Sequence, residues 1–128
     1  MSQFLSVNKA LTIIRMFKQL DPFLPVQIAE VFLEIAQNEG VTIADLQQRL
    51  GIAKPTISRH VQYLSRFYKP GQAGLNLVET RESPADRRAK EVHLSRSGKL
   101  LLNMITGVID GEELTNKKIH DEPGGLLS

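Results

Sequence analysis

The 128-residue chain contains no cysteine and no tryptophan. The first absence removes disulfides, thiolate metal ligands, cysteine nucleophiles and thiol redox sensing together. Aromatic residues are few, five Phe and two Tyr. No apolar run approaches the roughly 20 residues that a helix needs to cross a bilayer, and no charged-then-apolar leader precedes a small-residue cleavage site. The expectation is a cytoplasmic protein without a membrane partner. His60, His93 and His120 stand without paired spacing, whereas a metal needs converging imidazole, carboxylate or thiolate groups. There is no nucleophile elbow and no pair of catalytic carboxylates, and Gly71-Gln72-Ala73-Gly74 is too short for a phosphate cradle. Neither an enzyme nor a metal or cofactor site is expected.

What is present is an uneven charge. From Lys54 to Lys99 there are ten basic and four acidic residues, ten minus four giving +6; the rest of the chain holds six basic and ten acidic residues, giving −4. One contiguous segment is therefore suited to a polyanion, as in a nucleic-acid binder. On charge alone, a solvated surface explains the same excess equally well.

The hydrophobic pattern supplies the frame. Apolar residues from Phe4 to Leu20 occupy most of a helix circumference, which predicts a helix covered by a partner subunit. Asp21-Pro22 and Leu24-Pro25 interrupt it, and a second helix is expected from about Pro25 to Asn38, with Gly40 as its stop. Thr42 and Asp45 have the spacing of a reciprocal cap, opening a helix that ends at Gly51. After the short link Ile52-Ala53, helical spacing resumes from Lys54 to Phe67, with Ile57, Val61, Leu64 and Tyr68 inward. Two short helices about a glycine turn make a helix-turn-helix. A breaker-rich loop at 69–74 leads to two strands, Asn76–Arg81 and Lys90–Leu94, joined by a polar turn: a wing. Ser95 caps a last helix to about Asp110, and residues from about 115 are expected to fray.

With Ile57, Val61 and Leu64 inward, Pro55, Ser58, Arg59, Gln62 and Arg66 fall on the far side of their helix. Arg, Gln and Ser are readers of base edges, and Lys54 and Thr56 lie where a helix N-terminus favours phosphate. In the wing, Asp86 is placed to hold one guanidinium. Arg88 braced on Asp86, Arg87 reaching a minor groove and Lys90 on phosphate is the expected arrangement, the reverse assignment of the two arginines staying open.

The run from Ser83 to Gly98 resembles the wing signature of the multiple-antibiotic-resistance regulator (MarR) family. Asp86, Arg88, Val92, Leu94 and Gly98 match it position by position, with Ser95 in place of threonine. Thr42 to Leu64 resembles the family's helix-turn-helix, and Leu77-Val78-Glu79 its strand entering the wing. Ala53 departs from the Asp or Ser cap that is frequent before the recognition helix. The resemblance implies a mainly α fold with a small β-hairpin, a winged helix-turn-helix whose helical dimerisation region comes from both termini. The expected organisation is one domain over 1–114, with dimerisation helices at 4–20 and 96–110 carrying Leu11, Ile14, Phe17, Leu101, Ile105 and Val108. The DNA-binding core spans 25–94 with its wing at 76–94, and a flexible tail covers 115–128. The implied function is a homodimeric, sequence-specific double-stranded-DNA-binding transcriptional regulator, most often a repressor, in a bacterial cytoplasm or as a phage protein in its host. The alternative is a winged-helix protein-interaction module that docks on another protein. Many relatives bind small phenolic effectors in a cleft. Here Phe17, Phe23, Phe32, Tyr63 and Tyr68 are the aromatic candidates, but their helical spacing reads as core, and no effector is indicated.

Overall fold

Gln3–Leu20 contains neither glycine nor proline and forms α1, an 18-residue helix. It ends where Asp21 Oδ1 accepts the Phe23 amide at 2.9 Å, a side-chain turn that reverses the chain. Pro25 stands at the cap position of α2, Val26–Gln37, which buries Ile28, Val31, Phe32 and Ile35. Phe32 meets Phe17 of α1 edge-on at 6.0 Å. The computed structural model describes residues 3–121, with side chains through position 111.

Asn38, not Gly40, caps the end of α2, and the chain enters a two-residue strand, β1 (Val41–Thr42), absent from the sequence-based expectation. Helix α3, Ile43–Leu50, carries the expected reciprocal cap: Thr42 Oγ1 accepts the Asp45 amide at 3.1 Å and Asp45 Oδ2 accepts the Thr42 amide at 3.2 Å. It stops at Gly51, whose φ of 65° suits a residue without a Cβ. Helix α4, Lys54–Leu64, receives no side-chain cap from Ala53. The Ala53 carbonyl instead accepts the Thr56 and Ile57 amides at 3.0 Å each, and Pro55 has no amide to leave unpaired.

α4 ends at Leu64 rather than at the expected Phe67. The reason is non-local. The amides of Leu75, Leu77, Asn76 and Gly74 donate to the carbonyls of Tyr63, Leu64, Ser65 and Arg66 respectively, so the returning chain takes the acceptors that helix continuation would need. The approach is close enough that a Cβ on Gly74 would lie 1.9 Å from the Ser65 carbonyl oxygen. Between these segments, β2 (Phe67–Lys69) and β3 (Gln72–Ala73) form an unforeseen hairpin. Tyr68, expected inward on a helix, is a half-buried strand residue.

β4 (Val78–Glu82) and β5 (Lys90–Leu94) pair antiparallel, and β1 adds to β5, giving the order β1-β5-β4. β4 starts later than the expected Asn76 because Asn76 has a left-handed φ of 57° and its amide serves α4. Ser95 Oγ accepts the Gly98 amide at 3.0 Å and donates to the Asn76 carbonyl at 2.7 Å, capping α5 and fastening it to the strand entrance. Gly98 is required there: a Cβ would sit 2.0 Å from the Leu77 oxygen. α5 runs Arg96–Asp121, past the expected end at Asp110 and into the expected tail. Residues 122–128 of that tail lie outside the described residues.

One core joins every element except the β2–β3 hairpin, with Val31, Phe32, Ile35, Leu46, Ile57 and Val92 fully enclosed. Lys9 Nζ donates to the Ile109 carbonyl at 2.7 Å, tying α1 to α5. Three residues expected at a dimer surface are instead buried in the protomer itself: Phe17, Leu101 and Ile105. Leu11 and Ile14 are exposed, and Val108 is half-buried. The exposed apolar residues on these helices also include Phe4, Val7, Leu100, Met104 and Ile109. α1 was too uniformly apolar for its inner face to be picked out by spacing.

Candidate nucleic-acid interface

The polar face of α4 and the wing are placed by the packing beneath them. Ile57, Val61 and Leu64 pin α4 to the core, and the alternation of β5 buries Val92 and Leu94. With those faces inward, Lys54, Pro55, Arg59 and Gln62 are exposed and Thr56 and Ser58 half-buried.

These residues do not form one cluster. Lys54 and Ser58 share a cleft of about 270 Å³ with Arg88, Ala89 and Lys90 of the wing and with Thr42–Ala44 at the start of α3. Thr56 and Arg59 face the other flank of α4, where they line a cavity of about 450 Å³ with Asp21, His60, Tyr63 and Tyr68 among others. Pro55, Gln62 and Arg87 are exposed outside both. Arg66 is not on α4: it lies beyond the helix end, with its guanidinium carbon 5.2 Å from the centroid of the Phe67 ring. The α3 start was the part of the cleft that side-chain chemistry did not flag, although its capping spacing marked a helix N-terminus.

The wing turn is set by its own polar atoms. The Ser83 amide donates to the Ala89 carbonyl at 2.9 Å and the Ala89 amide to the Asp86 carbonyl at 3.0 Å. Asp86 braces the turn differently from expectation. Its Oδ1 accepts the Arg88 backbone amide at 3.0 Å, and neither Arg87 nor Arg88 forms an ion pair with it. A carboxylate spent on an amide in a tight turn leaves both guanidinium groups outward.

Among the described residues, no ion pair engages Lys54, Arg59, Arg87, Arg88 or Lys90. Arg81 is different: it pairs with Glu79 at 2.7 Å, and that bond holds the Glu79 carboxyl below its usual range. His60, bonded to Gln27 Oε1 at 2.7 Å, is held below its ordinary pKa by burial and then by Arg59, so it is neutral near pH 7. Lys54 and Arg59 of α4 and Arg87, Arg88 and Lys90 of the wing thus carry positive charge that no ion pair in the described residues engages. The N-terminal dipoles of α3 and α4 add to it. Such an arrangement is complementary in charge to an extended anion. Among the described residues no cluster of three or more His, Cys, Asp or Glu residues is suited to a metal ion, and no helix is long and apolar enough to cross a membrane.

Residues 24–66, from the α1–α2 connection through the end of α4, match the MarR family model. The fold extends that match over nearly the whole chain. The S. aureus MepR–DNA complex has a TM-score of 0.68 at 20% identity, over 97% of this chain and 94% of that one. The chain carries the MarR-family winged-helix fold. A MarR transcriptional regulator from Methanosarcina mazei Go1 superposes with a TM-score of 0.61 at 18% identity, over 98% of this chain and 94% of its own. MarR itself gives 0.59 at 19% identity, over 93% and 78%. No curated protein sequence matches the chain. On the MarR-type frame, α4 stands as the second helix of the helix-turn-helix, β4–β5 as the wing hairpin, and the β2–β3 hairpin lies between them.

Proposed function

We propose that this protein is a transcriptional regulator that binds double-stranded DNA sequence-specifically as a homodimer and represses. In this reading α4 enters the major groove and the wing reaches the adjacent minor groove. The observation that carries it is the shared cleft: Lys54 and Ser58 from α4 meet Arg88 and Lys90 from the wing, and among the described residues none of these three cations has an acidic partner. The likeness to MepR, whose structure includes DNA, supports the same reading.

Within that assignment, Lys54, Arg88 and Lys90 take phosphates, and Arg87 at the wing tip enters the minor groove. Arg59 and Gln62 read base edges with Pro55, Thr56 and Ser58 around them, and Arg66 reaches the backbone from beyond the helix. The second copy covers α1 and α5, whose exposed apolar residues face outward along both helices. Positions 1–114 act as one winged-helix domain. Repression follows from occupying two neighbouring grooves, which closes that stretch of duplex to other proteins.

Selection of bound sequences from a random duplex pool tests the proposal. The expected result is a two-fold symmetric site with half-sites about one turn, roughly 34–36 Å, apart. Arg59→Ala or Gln62→Ala should relax preference at individual bases by about 1–3 kcal/mol. Recovery of no sequence at low salt would favour the protein-docking alternative.

A further inference from the structure

The Asp21 carboxylate is used twice. Oδ1 accepts the Phe23 amide at 2.9 Å and shapes the turn that ends α1. Oδ2 accepts the Tyr63 hydroxyl at 2.6 Å, from the last turn of α4. Among the described residues, no other side-chain hydrogen bond joins the end of α1 to α4. Tyr63 has a second neighbour. Tyr68 of β2 meets its ring edge-on at 5.1 Å, and Lys69 Nζ lies 4.9 Å from the Tyr68 ring centroid. The β2–β3 hairpin therefore presents Tyr68 against a residue that the end of α1 already holds.

The two helices so joined have separate roles in the proposed function. α4 bears the reading side chains, and α1 bears an exposed apolar face. In a two-fold dimer the distance between recognition helices depends on how firmly each α4 is held relative to α1. The apolar contacts of Ile57, Val61 and Leu64 hold α4 against the core but are non-directional. A short hydrogen bond to a carboxylate is directional and charge-assisted.

We propose that the Tyr63–Asp21 bond, backed by Tyr68 from the β2–β3 hairpin, is a latch that fixes α4 relative to α1 and thereby the half-site spacing the dimer accepts. The inference rests on the DNA-binding reading above; Asp21 and Tyr63 act in it as positioning residues. Tyr63→Phe removes the hydroxyl and keeps the ring contact. Against duplexes whose half-sites are stepped by single base pairs, it should bind the preferred spacing roughly twofold to tenfold more weakly. Neighbouring spacings should lose less, so the spacing preference flattens. Asp21→Ala should act likewise, the double variant should lose no more than either, and Asp21→Asn, which keeps an acceptor, should restore part of the preference. An unchanged spacing profile, or an equal loss at all spacings together with a lowered Tm, overturns the latch.

A second measurement does not depend on DNA. Because the chain has no cysteine, spin labels at Arg15→Cys and Gln62→Cys report the α1–α4 distance, with labelled protein diluted into excess unlabelled protein. A single narrow distance that broadens in Tyr63→Phe is expected. An unchanged distribution overturns the latch whether or not the chain binds DNA. Broadening, with no duplex bound at any spacing by the unlabelled parent protein, removes the functional reading and leaves the latch.

Discussion

The winged core and the outer face of the α1–α5 layer use similar apolar residues and finish in opposite states. Val31, Phe32, Ile35, Leu46 and Ile57 in the core are all 0% exposed, whereas Phe4, Val7, Leu11 and Ile14 of α1 are 80%, 61%, 42% and 47% exposed. Single exposed apolar side chains are ordinary, but those four follow one another at helical spacing and form a stripe. Phe4, Val7 and Leu11 line one apolar hollow of about 470 Å³ with Gln3 and Asn8. Leu100 and Met104 on α5 are also more than half exposed. The comparison teaches that the winged core is complete within one protomer, while the helical layer is a surface awaiting the proposed second copy.

The largest expected effect falls on the completed side. Leu46→Ala should lower stability by about 2–5 kcal/mol, because its neighbours come from several elements and collapse only in part; chemical denaturation measures it. A loss near zero would mean that the core is less tightly packed than its burial indicates. On the open side, Leu11→Ser with Ile14→Ser should leave the wing folded and weaken self-association about tenfold or more, read by sedimentation. An unchanged dimer, or a monomeric parent protein, would break the contrast. Thr42→Ala returns to the core and should cost about 1 kcal/mol, since one capping bond is lost from α3.

The smallest expected effect is at the seam between the two regions, and it depends on pH. The bond to Asp21 pushes the Tyr63 pKa from 10.0 up to about 12. A raised folded-state value means that this stabilisation is complete below pH 10 and is lost between pH 10 and about 12. Asp21 is held below 3.8 by the Tyr63 hydroxyl and then by the Phe23 amide. Its contribution is present above pH 3.8 and is lost as pH falls through the lowered value. In Tyr63→Phe the alkaline limb of the urea-midpoint profile should flatten and the acid limb shrink. Identical profiles would show that the seam carries no such bond.

Local signals made much of the architecture legible. The Thr42–Asp45 cap, Gly51, the Pro55 boundary and the Lys90–Leu94 alternation each depend on residues a few positions apart, and each stands where the spacing put it. The errors share the opposite property. The end of α4 is decided by amides at Gly74–Leu77, and Phe67 and Tyr68 kept a helical spacing that gave no sign of that competition. β1 exists because β5 arrives beside Val41 and Thr42. Asp86 differs for a related reason: composition set a carboxylate beside two arginines, but the tight turn gave it a backbone amide first. Placement of Lys54 beside Arg88 and Lys90 needed the folded chain, since helix spacing alone shows which residues share a face and not which flank meets the wing.

The most direct test of the account is the salt dependence of duplex binding in the parent protein and in Lys54→Ala, Arg88→Ala and Lys90→Ala. The parent should show a steep linear fall of log affinity with log salt, and each substitution should reduce the slope by roughly 0.9, one phosphate's worth of released counterions. A slope unchanged by all three substitutions would contradict the claim that α4 and the wing grip one nucleic-acid backbone between them.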